Sequence, residues 1–441
     1  MADGWKAGVA KVVITPEHFM WMSGYGGRDR PAEGTLTDLF AKALVVEDSD
    51  GRRGVLVTLD IVGIDRALSL QMREALRLEY GFKLPQIALC VSHTHTGPVI
   101  GTNLRLAYAL DEEQERVIDE YAVTLMQKVV EVVGAALADV EPSELSWGIG
   151  RSTFAVNRRE NKPYSIVPER RAAGTLKGPV DHEVPVLKVS TDAGRLKTVV
   201  VGYACHCTVL RFYQWSGDYA GYAQLELEKA YPGSVAMFWA GCGGDQNPLP
   251  RRTVSLAVEY GRQLAQAAKD VLVGNLYPIS GSMGMVYEEV HLPVDELPTR
   301  AELETRAQNL EGYHREYARH LLKTIQRDGR LKQTYPYPLQ TWRLGPDLLF
   351  VTMGGEVVVD YSLRIKREIG PGATWVAAYA NDVMGYIPSR RVLAEGGYEG
   401  GESNVYYGLP ALWAPAIEEL IVDTVHRQVE QLRGGGESRD R

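Results

Sequence analysis

The chain has 441 residues and a formal net charge of −8, from 48 basic and 56 acidic side chains. Nucleic-acid binding needs a surplus of clustered positive charge, so we expect no nucleic-acid partner. Four cysteines without a CxxC pair are too few for a disulfide framework or a cysteine-based zinc site. Hydrophobic residues make up 45% of the chain, as in ordinary globular proteins. These features favour an enzyme with a small-molecule substrate, and they leave the oligomeric state open.

The N-terminal sequence, MADGWKAGVAKVVITP, has no basic segment followed by an apolar one. It therefore shows no signal peptide and predicts a cytoplasmic protein. We find no apolar stretch close to the roughly 20 residues of a membrane-spanning helix, which predicts no stable membrane insertion.

Strand-like and helix-like segments alternate along most of the chain. Apolar and β-branched runs predict strands at 6–14, 40–47, 55–60, 87–92, 145–149, 184–189, 198–206, 235–239, 348–353 and 374–378. Helical spacing of apolar residues predicts helices at 66–80, 111–140, 219–231, 254–273, 358–367 and 410–432. The alternation predicts an α/β fold with mixed β-sheets flanked by helices.

One segment departs from this alternation. Residues 298–328 are highly charged and helical in spacing, which is typical of a solvated helix pair. No internal repeat or low-complexity linker divides the chain, so we predict one domain over residues 1–433 with a helical insertion at about 298–328. The polar residues 434–441 are predicted to form a disordered tail.

The segment IALCVSHTHTGP is the sharpest candidate for a metal site. Its apolar strand ends in His93 and His95 and breaks at a Gly-Pro pair. Residues two apart in a strand share a face, so both imidazoles are predicted to point the same way at the strand end. The alternative is one structural histidine and one exposed histidine. His206 follows a second buried strand, and three histidines at strand ends favour a metal site.

The pattern around the histidines favours a mononuclear site. HTHTGP lacks the later residues of the HxHxDH pattern of binuclear sites, and the eightfold βα repeat of amidohydrolase barrels is not visible. One or two ligands are then needed from the C-terminal half of the chain. Glu356 follows a predicted strand and a Gly-Gly turn, and it is a candidate ligand; the alternative is a helix-capping glutamate.

Nine sequence blocks along nearly the whole chain carry a family resemblance. In chain order they are AGVAKVVITP, MWMSGYGGR, LVTLDIVGIDR, VSHTHTGP, the Asn157-Arg158 pair, YACHCTVL, AGCGGDQNP, MGGE and YANDVMGYIPSRRVLAEGGYEGG. Together they resemble the catalytic, N-terminal domain of the neutral/alkaline (non-lysosomal) ceramidase family. The resemblance implies an α/β catalytic domain with one Zn²⁺ ion per chain. It places His93, His206, Glu356 and Tyr386 at the family's metal-ligand positions.

The resemblance also implies residues that act on the substrate. His95 and Arg158 fall where the family binds and polarises the scissile amide. His95 would exchange protons with the leaving group, and Arg158 would neutralise a developing oxyanion or hold a carboxylate. Tyr398 matches a tyrosine that lines the pocket. Asp60 and Asp245, inside two of the blocks, are further substrate-binding candidates.

One block departs from the family pattern at a catalytic position. The family has serine in a Gly-Asp-x-Ser-Pro motif, where this chain has Asn247. Asparagine donates and accepts hydrogen bonds but cannot act as a hydroxyl nucleophile. We count Asn247 among the catalytic candidates. The sequence also shows neither the C-terminal β-sandwich nor the secretion signal of the family's ceramidases, so ceramide as substrate does not follow.

The expected function is zinc-dependent hydrolysis of an amide (N-acyl) or related bond by a metal-activated water, on a substrate more polar than ceramide. Two alternatives stay open. Tyrosine-rich loops that can stack on sugar rings favour a metal-dependent enzyme acting on a carbohydrate. The asparagine in place of serine favours a catalytically retired metal-binding protein.

Overall fold

The largest element of the fold is a mixed sheet of nine strands. The structure is a computed structural model, and it describes residues 4–434. Two pairs at the ends of the sheet are parallel and the other pairs are antiparallel. In spatial order the strands are β11 (Val235–Ala240), β9 (Leu196–Tyr203), β8 (Glu183–Thr191), β6 (Glu141–Arg151), β1 (Trp5–Val13), β3 (Phe40–Glu47), β4 (Arg53–Leu59) and β5 (Ile87–Val91), with β13 (Tyr277–Ile279) paired to β6.

A second, smaller sheet packs against the first. Its four strands are, in spatial order, β14 (Met283–Pro293), β15 (Thr334–Leu344), β16 (Leu348–Met353) and β18 (Thr374–Ala377). Three short pairs lie outside both sheets: β2 (Gly34–Thr35) with β10 (Gln214–Trp215), β7 (Ala155–Asn157) with β12 (Gln246–Pro248), and β17 (Glu356–Val357) with β19 (Tyr386–Ile387). The last two pairs carry residues of the candidate site.

Helices cover the outer faces of both sheets. The α-helices of the described residues are α1 (Arg66–Tyr80), α2 (Glu112–Ala138), α3 (Val167–Ala172), α4 (Asp218–Ala230), α5 (Val254–Val273), α6 (Arg300–Asn309), α7 (Gly312–Asp328), α8 (Val359–Ile369), α9 (Arg390–Glu395), α10 (Asn404–Tyr407) and α11 (Ile417–Gly434). Helices α2, α4 and α5 pack on the large sheet, and α8 and α11 pack on the small one.

An apolar layer fills the space between the two sheets. The ring of Trp239, on β11, lies 5.4 Å from Phe350 and 6.4 Å from Trp375, both on the small sheet. Leu44 and Trp342 belong to the same buried cluster. The central strands are thus buried on both faces, which explains their continuous apolar runs. The order helix, sheet, sheet, helix confirms the predicted α/β fold with mixed sheets flanked by helices.

Helix α2 is long and apolar enough to span a membrane, with a mean hydropathy of 1.4 over an 18-residue window. The prediction that no segment reaches this length and composition was therefore wrong. The helix begins with a capping box between Asp111 and Gln114, and it buries Ile118, Leu125 and Val129 on one face. That face packs against β1 and β3. Packing on the sheet accounts for the apolar residues of this face.

The charged segment described as an insertion contains helices α6 and α7. Thr299 caps α6 in a capping box with Glu302. The two helices pack on each other through a small apolar cluster that includes Leu303 and Leu321. The assignment of residues 1–433 to one domain stays a prediction. Of the predicted disordered tail, 434–441, all residues after Gly434 lie outside the described part of the chain.

Candidate metal centre

The candidate site lies where loops from both sheets meet. His93 and His95 follow β5, and His206 follows β9, so the large sheet supplies three histidines. Glu356 and Tyr386 begin β17 and β19, which follow strands of the small sheet. Strands β17 and β19 pair in parallel with these two residues opposite each other. The site is therefore assembled from chain segments far apart in sequence.

The three histidines form a buried cluster. One ring nitrogen from each of His93, His95 and His206 lies within 4.8 Å of the other two. Nε2 of His95 is 3.0 Å from Nε2 of His93. All three side chains are at most 9% exposed. Three imidazole nitrogens at this spacing are able to hold a metal ion, and His95 belongs to the set together with His93 and His206.

The two histidines of the HTH motif converge for a reason that differs from the predicted one. Strand β5 ends at Val91, and His93 has a φ of 57°, in the left-handed region. A turn, rather than alternation along a strand, therefore brings the rings together. The hydroxyls of Thr94 and Thr96 both donate to the carbonyl of Ser216, at 2.8 and 2.7 Å, and hold this turn. Left-handed backbone at a non-glycine residue is costly and is concentrated at functional sites.

Hydrogen bonds fix the tautomers of two histidines. Nδ1 of His93 lies 2.6 Å from the carbonyl of Val62, and Nδ1 of His206 lies 2.6 Å from that of Gly243. A carbonyl only accepts, so each Nδ1 must carry the proton and donate it. Each Nε2 of a neutral ring is then a lone pair that points into the cluster. This arrangement is the usual orientation of metal-binding histidines.

A carboxylate faces these lone pairs without a proton to share. Oε2 of Glu356 lies 3.3 Å from Nε2 of His93 and 3.0 Å from Nε2 of His206, and it is buried without a hydrogen bond. Burial and Arg158 lower the pKa of His206 to about 4, so this ring is neutral near pH 7. A divalent metal ion fits this set of donors.

Two tyrosine hydroxyls border the cluster. Tyr407 donates to the second oxygen of Glu356, Oε1. The hydroxyl of Tyr386 lies 3.2 Å from Nε2 of His206 and accepts from Nη2 of Arg158 at 3.0 Å. Burial raises the pKa of both hydroxyls. Tyr386 thus borders the cluster, and its role as a metal ligand stays a prediction. Tyr407 is a neighbour of Glu356 that the sequence did not reveal.

Arg158 is held beside the cluster by an internal ion pair. Its Nε donates to Glu399 at 2.6 Å, and its Nη1 lies 3.4 Å from Nε2 of His206. Arg159 donates to the other oxygen of Glu399, also at 2.6 Å. Glu399 therefore occupies the Nε side of Arg158. Glu399 adjoins the predicted Tyr398, but no local pattern marks it as the partner of a residue 241 positions away.

A small cavity opens beside the cluster. Its volume is about 190 Å³, and glycines, tyrosines and one arginine form most of its wall: Gly24, Tyr25, Gly26, Gly27, Tyr108, Arg211, Tyr398 and Tyr406. The ring of Tyr25 packs edge-on against His95, with centroids 4.9 Å apart, and Tyr398 lies 5.4 Å from Tyr386. Tyr398, 43% exposed, therefore stands at the opening, as a pocket-lining residue should.

The MWMSGYGGR block explains how His95 is held. A Cβ at Gly24, which has a φ of 97°, would lie 2.4 Å from Cγ of His95. Only glycine allows the loop to approach the ring so closely. Arg28 donates from Nη2 to the carbonyl of His95 at 2.7 Å. The loop thus fixes both the ring and the backbone of His95.

The two aspartates predicted to bind substrate have hydrogen-bond partners within the protein. Asp60 accepts from the backbone N–H of Phe40 at 3.1 Å and lies 3.5 Å from Nε2 of Gln224. Asp245 accepts from Asn157 and from the first N–H of helix α8, at Val359, both at 2.9 Å. Both carboxylates are buried, and their role in substrate binding stays a prediction. Asp245 positions the Arg158 loop, because its own carbonyl accepts the Arg158 N–H at 2.8 Å.

Asn247 lies on β12, opposite Val156 of the strand that leads to Arg158. It is 1% exposed, and its Oδ1 is 3.5 Å from the hydroxyl of Thr208. Thr208 follows His206 by two residues. Asn247 thus lies between the two segments that carry Arg158 and His206, while its catalytic role stays a prediction.

The fold and the buried histidine cluster define an α/β protein with a candidate metal centre, and comparisons with known proteins identify its family. The family model described as "Neutral/alkaline non-lysosomal ceramidase, N-terminal" matches residues 5–248. Because this match covers more than half of the chain, the chain belongs to that family.

Relatives are found among neutral ceramidases. Neutral ceramidase B of Dictyostelium discoideum is 26% identical over 226 residues, which are 48% of this chain and 31% of that protein. Neutral ceramidase of Pseudomonas aeruginosa is 26% identical over 255 residues, 55% of this chain and 37% of that protein. The match thus spans about a third of the length of these relatives. The crystal structure of the Pseudomonas aeruginosa enzyme has a TM-score of 0.76 and 20% identity, and it covers 99% of this chain and 75% of that one. This likeness bears on the fold alone.

Proposed function

We propose that this family member is a zinc-dependent hydrolase that cleaves an amide (N-acyl) or related bond of a small polar substrate. The observation that supports it best is the buried, unpartnered Oε2 of Glu356, which faces the lone pairs of His93 and His206. Bound zinc supplies Lewis acidity, which polarises a carbonyl and lowers the pKa of water to about 7. Relatives named neutral ceramidases support hydrolysis as the reaction class.

In this proposal four side chains hold the metal: His93, His206 and Glu356, with Tyr386 at the edge of the set. His95 exchanges a proton with the leaving group, since its Nδ1 is buried without a partner and its ring borders the cavity through Tyr25. Burial lowers the pKa of His95 well below the usual value, so it enters the reaction as a neutral base.

Arg158 stabilises negative charge on the substrate carbonyl oxygen. Its pairing with Glu399 fixes the guanidinium, and its remaining nitrogens face Tyr386 and His206. A preorganised donor of this kind needs no rearrangement when charge develops, and this is the largest single contribution in many enzymes. Asn247, buried near Thr208, is assigned to orient the substrate or the attacking water through hydrogen bonds.

The size of the cavity favours a small substrate. Pockets for drug-sized ligands are about 300–1,000 Å³, and the cavity beside His95 holds about 190 Å³. A larger cavity of about 580 Å³ reaches Tyr407, and neither cavity has the three histidines or Arg158 in its wall; the smaller one is preferred because Tyr25 and Tyr398 in its wall pack against His95 and Tyr386. Ceramide, with two long chains, needs an extended apolar groove. The four tyrosines of the small cavity also favour a second candidate, a carbohydrate-directed metal enzyme, because tyrosine rings stack on sugars.

Metal analysis and two substrates test the proposal. Purified protein should contain close to one zinc per chain, or gain it on reconstitution, and should hydrolyse a short-chain fluorogenic N-acyl substrate faster than ceramide in detergent. Asn247→Ala should slow the reaction by roughly 10²–10³-fold, and Asn247→Ser should not create strong ceramide turnover. Robust ceramide hydrolysis by the unmodified protein would contradict the substrate assignment. Failure of the metal-loaded protein on both substrates would favour the carbohydrate candidate or a binding protein.

A further inference from the structure

Three arginine side chains surround one tyrosine ring at the mouth of the candidate site. The guanidinium carbons of Arg28, Arg211 and Arg252 lie 5.4, 5.5 and 5.1 Å from the ring centroid of Tyr25. The same ring packs against His95. Positive charge is therefore concentrated around the ring that packs against His95, in a chain whose formal net charge is −8.

A fourth arginine extends this group, which we name the arginine cluster (Arg28, Arg211, Arg251 and Arg252). The guanidinium of Arg251 lies over the ring of Tyr164, 5.8 Å from its centroid. Burial, with the positive charges of Arg252 and Arg158, lowers the pKa of Arg251. The arginine cluster thus extends from Tyr25 toward Arg158.

The arginine cluster has no acidic partner among residues 4–434. Arg28 donates to Phe212 and His95 carbonyls, and Arg252 donates to the Tyr25 hydroxyl and the Thr208 carbonyl. These acceptors are all uncharged. Arg158 and Arg159, by contrast, share the carboxylate of Glu399. Like charges held together without a counter-charge repel, and a bound anion would remove that repulsion.

The nearest buried carboxylate is already occupied. Asp218 accepts from the backbone N–H groups of Val209, Leu210 and Tyr219, at 3.3, 2.8 and 2.7 Å. Its oxygens therefore bind the loop that leads to Arg211 rather than any guanidinium. Asp218 thus makes no ion pair with the arginine cluster, although its charge acts on Arg252 from a distance.

Arg211 is the member that reaches the cavity. It lines the 190 Å³ space together with Tyr25 and Tyr398, and it is exposed. A Cβ at Gly27 would lie 3.3 Å from its Nη2, so glycine keeps the path of the guanidinium clear. Since Tyr25 borders His95 and Tyr398 borders Tyr386, a ligand between the two tyrosines touches Arg211 at one end and approaches the metal centre at the other.

We propose that the arginine cluster binds an anionic group of the substrate, through Arg211 directly, with Arg28, Arg251 and Arg252 supplying positive potential. The substrate class is then an acidic acyl compound, with carboxylate or phosphate oxygens on the side remote from the scissile bond. This inference rests on the proposed hydrolase function and deepens it. It also separates the substrate from ceramide, which carries no charge.

Binding of small probes tests the inference without requiring turnover. Isothermal titration calorimetry is performed at one ionic strength with N-acetylglycine, with its uncharged counterpart N-acetylglycinamide, and with inorganic phosphate. We expect N-acetylglycine to bind more tightly than N-acetylglycinamide. Arg211→Gln should weaken N-acetylglycine binding about tenfold, as for loss of one charge-assisted contact, and leave N-acetylglycinamide binding unchanged. Phosphate binding that exceeds N-acetylglycine binding, and falls equally in Arg211→Gln, assigns the anion as phosphate.

Two further variants control for charge and folding. Arg262→Gln removes an arginine that is 67% exposed on α5 and should leave all three affinities unchanged. Arg252→Lys keeps the positive charge and should keep the preference for the anionic probe, while circular dichroism verifies that each variant is folded. Because Arg211 is exposed, its replacement leaves the core intact.

Several results overturn the inference. Equal binding of N-acetylglycine and N-acetylglycinamide, or no binding of any anion, excludes an anion site. Unchanged affinity in Arg211→Gln assigns the anion to the metal or another surface, and an equal loss in Arg262→Gln reveals a general charge effect. The protein could also bind the anions as expected and hydrolyse no amide. That result would contradict the proposed reaction, and the arginine cluster would remain a ligand site.

Discussion

Glu356 and Tyr386 are directly opposite each other in the short parallel pair of β17 and β19. The backbone N–H of Glu356 donates to the carbonyl of Gly385 at 2.8 Å, which fixes this register. Side chains opposite each other in a parallel pair point to the same face. Both therefore meet His206, whose Nε2 lies 3.0 Å from the carboxylate and 3.2 Å from the phenol oxygen. One pair of hydrogen-bonded strands thus brings two candidate ligands to one histidine.

The first prediction concerns the metal ligands. His93→Ala and His206→Ala should each release the metal and abolish activity, because loss of one of three or four protein ligands leaves a weak site. Metal per chain, measured by mass spectrometry after dialysis, should fall well below that of the parent. His426→Ala removes a half-buried histidine of α11 that pairs with Glu368 of α8. This variant should retain the metal. Retention of metal in both cluster variants would show that the ion is held elsewhere.

His95→Ala separates the two roles open to His95. If His95 transfers protons, the variant should keep its metal and lose rate by about 10²–10⁴-fold. Metal content and turnover number are measured on the same preparation. Because Nε2 of His95 is only 3.0 Å from Nε2 of His93, a ligand role is sterically open. Metal loss equal to that of His93→Ala would assign His95 to the metal.

Tyr407→Phe tests the hydroxyl that donates to Glu356. Hydrogen bonds to a ligating carboxylate orient it, and their removal costs roughly 10–100-fold in metal affinity or activity. Competition with a chelator measures the affinity. Tyr277→Phe removes a hydroxyl from a tyrosine that is 62% exposed and stacked on Trp147, and it should change nothing. Equal metal affinity in Tyr407→Phe and the parent would make this hydroxyl irrelevant to the centre.

Glu399→Gln should destabilise the fold as well as the site. The pair Arg158–Glu399 is only 12% and 7% exposed, and removal of one partner leaves a buried charge uncompensated. We expect a loss of about 3 kcal/mol in the free energy of unfolding, measured by urea denaturation. Glu395→Gln removes a carboxylate that is 36% exposed beside Arg159, and the loss there should stay below about 1 kcal/mol. Similar losses in the two variants would show that burial does not separate the Arg158–Glu399 pair from the Arg159–Glu395 pair.

Asp382 makes stability depend on pH. Burial raises its pKa to about 7, while an unfolded aspartate has a pKa near 3.9. Between these values the folded chain retains a proton that the unfolded chain has lost, so this residue's contribution to stability falls as pH rises. Asp382→Asn removes the titration. Relative to the parent, its free energy of unfolding should therefore increase between about pH 4 and pH 7, whereas Asp192→Asn, at an exposed turn, should follow the parent.

Much of the fold was predictable where the periodicity is strong and local. Strand β3 and helices α1 and α5 have the boundaries that the sequence predicts. The pair β14 and β15 was missed, although each strand has eleven residues. Strand β15 contains Pro336 and Pro338, which normally argue against a strand, and β14 alternates only weakly in burial. Long-range pairing between the two strands supplies what local propensity does not.

The candidate site was predictable only in part for a similar reason. Histidines at strand ends are visible locally, and the family resemblance supplied Tyr386 and Arg158. The partners Glu399 and Tyr407 depend on contacts across 241 and 51 residues, and no local pattern encodes them. The roles of Asp60 and Asp245 are not decided by sequence, because a carboxylate in a shared block is equally consistent with substrate binding and with backbone support.

The candidate ligands are divided between the two sheets. Metal affinity should therefore depend on how the two sheets pack. His93 and His206 move with the large sheet, whereas Glu356 and Tyr386 move with the small one. The rings of Trp239, Phe350 and Trp375 fix the spacing between the sheets. An ion held by these four side chains would join the two sheets, and its affinity would then depend on how closely the sheets approach. Core substitutions far from any ligand would thus loosen the metal, and its removal would let the two halves of the molecule separate first at this edge.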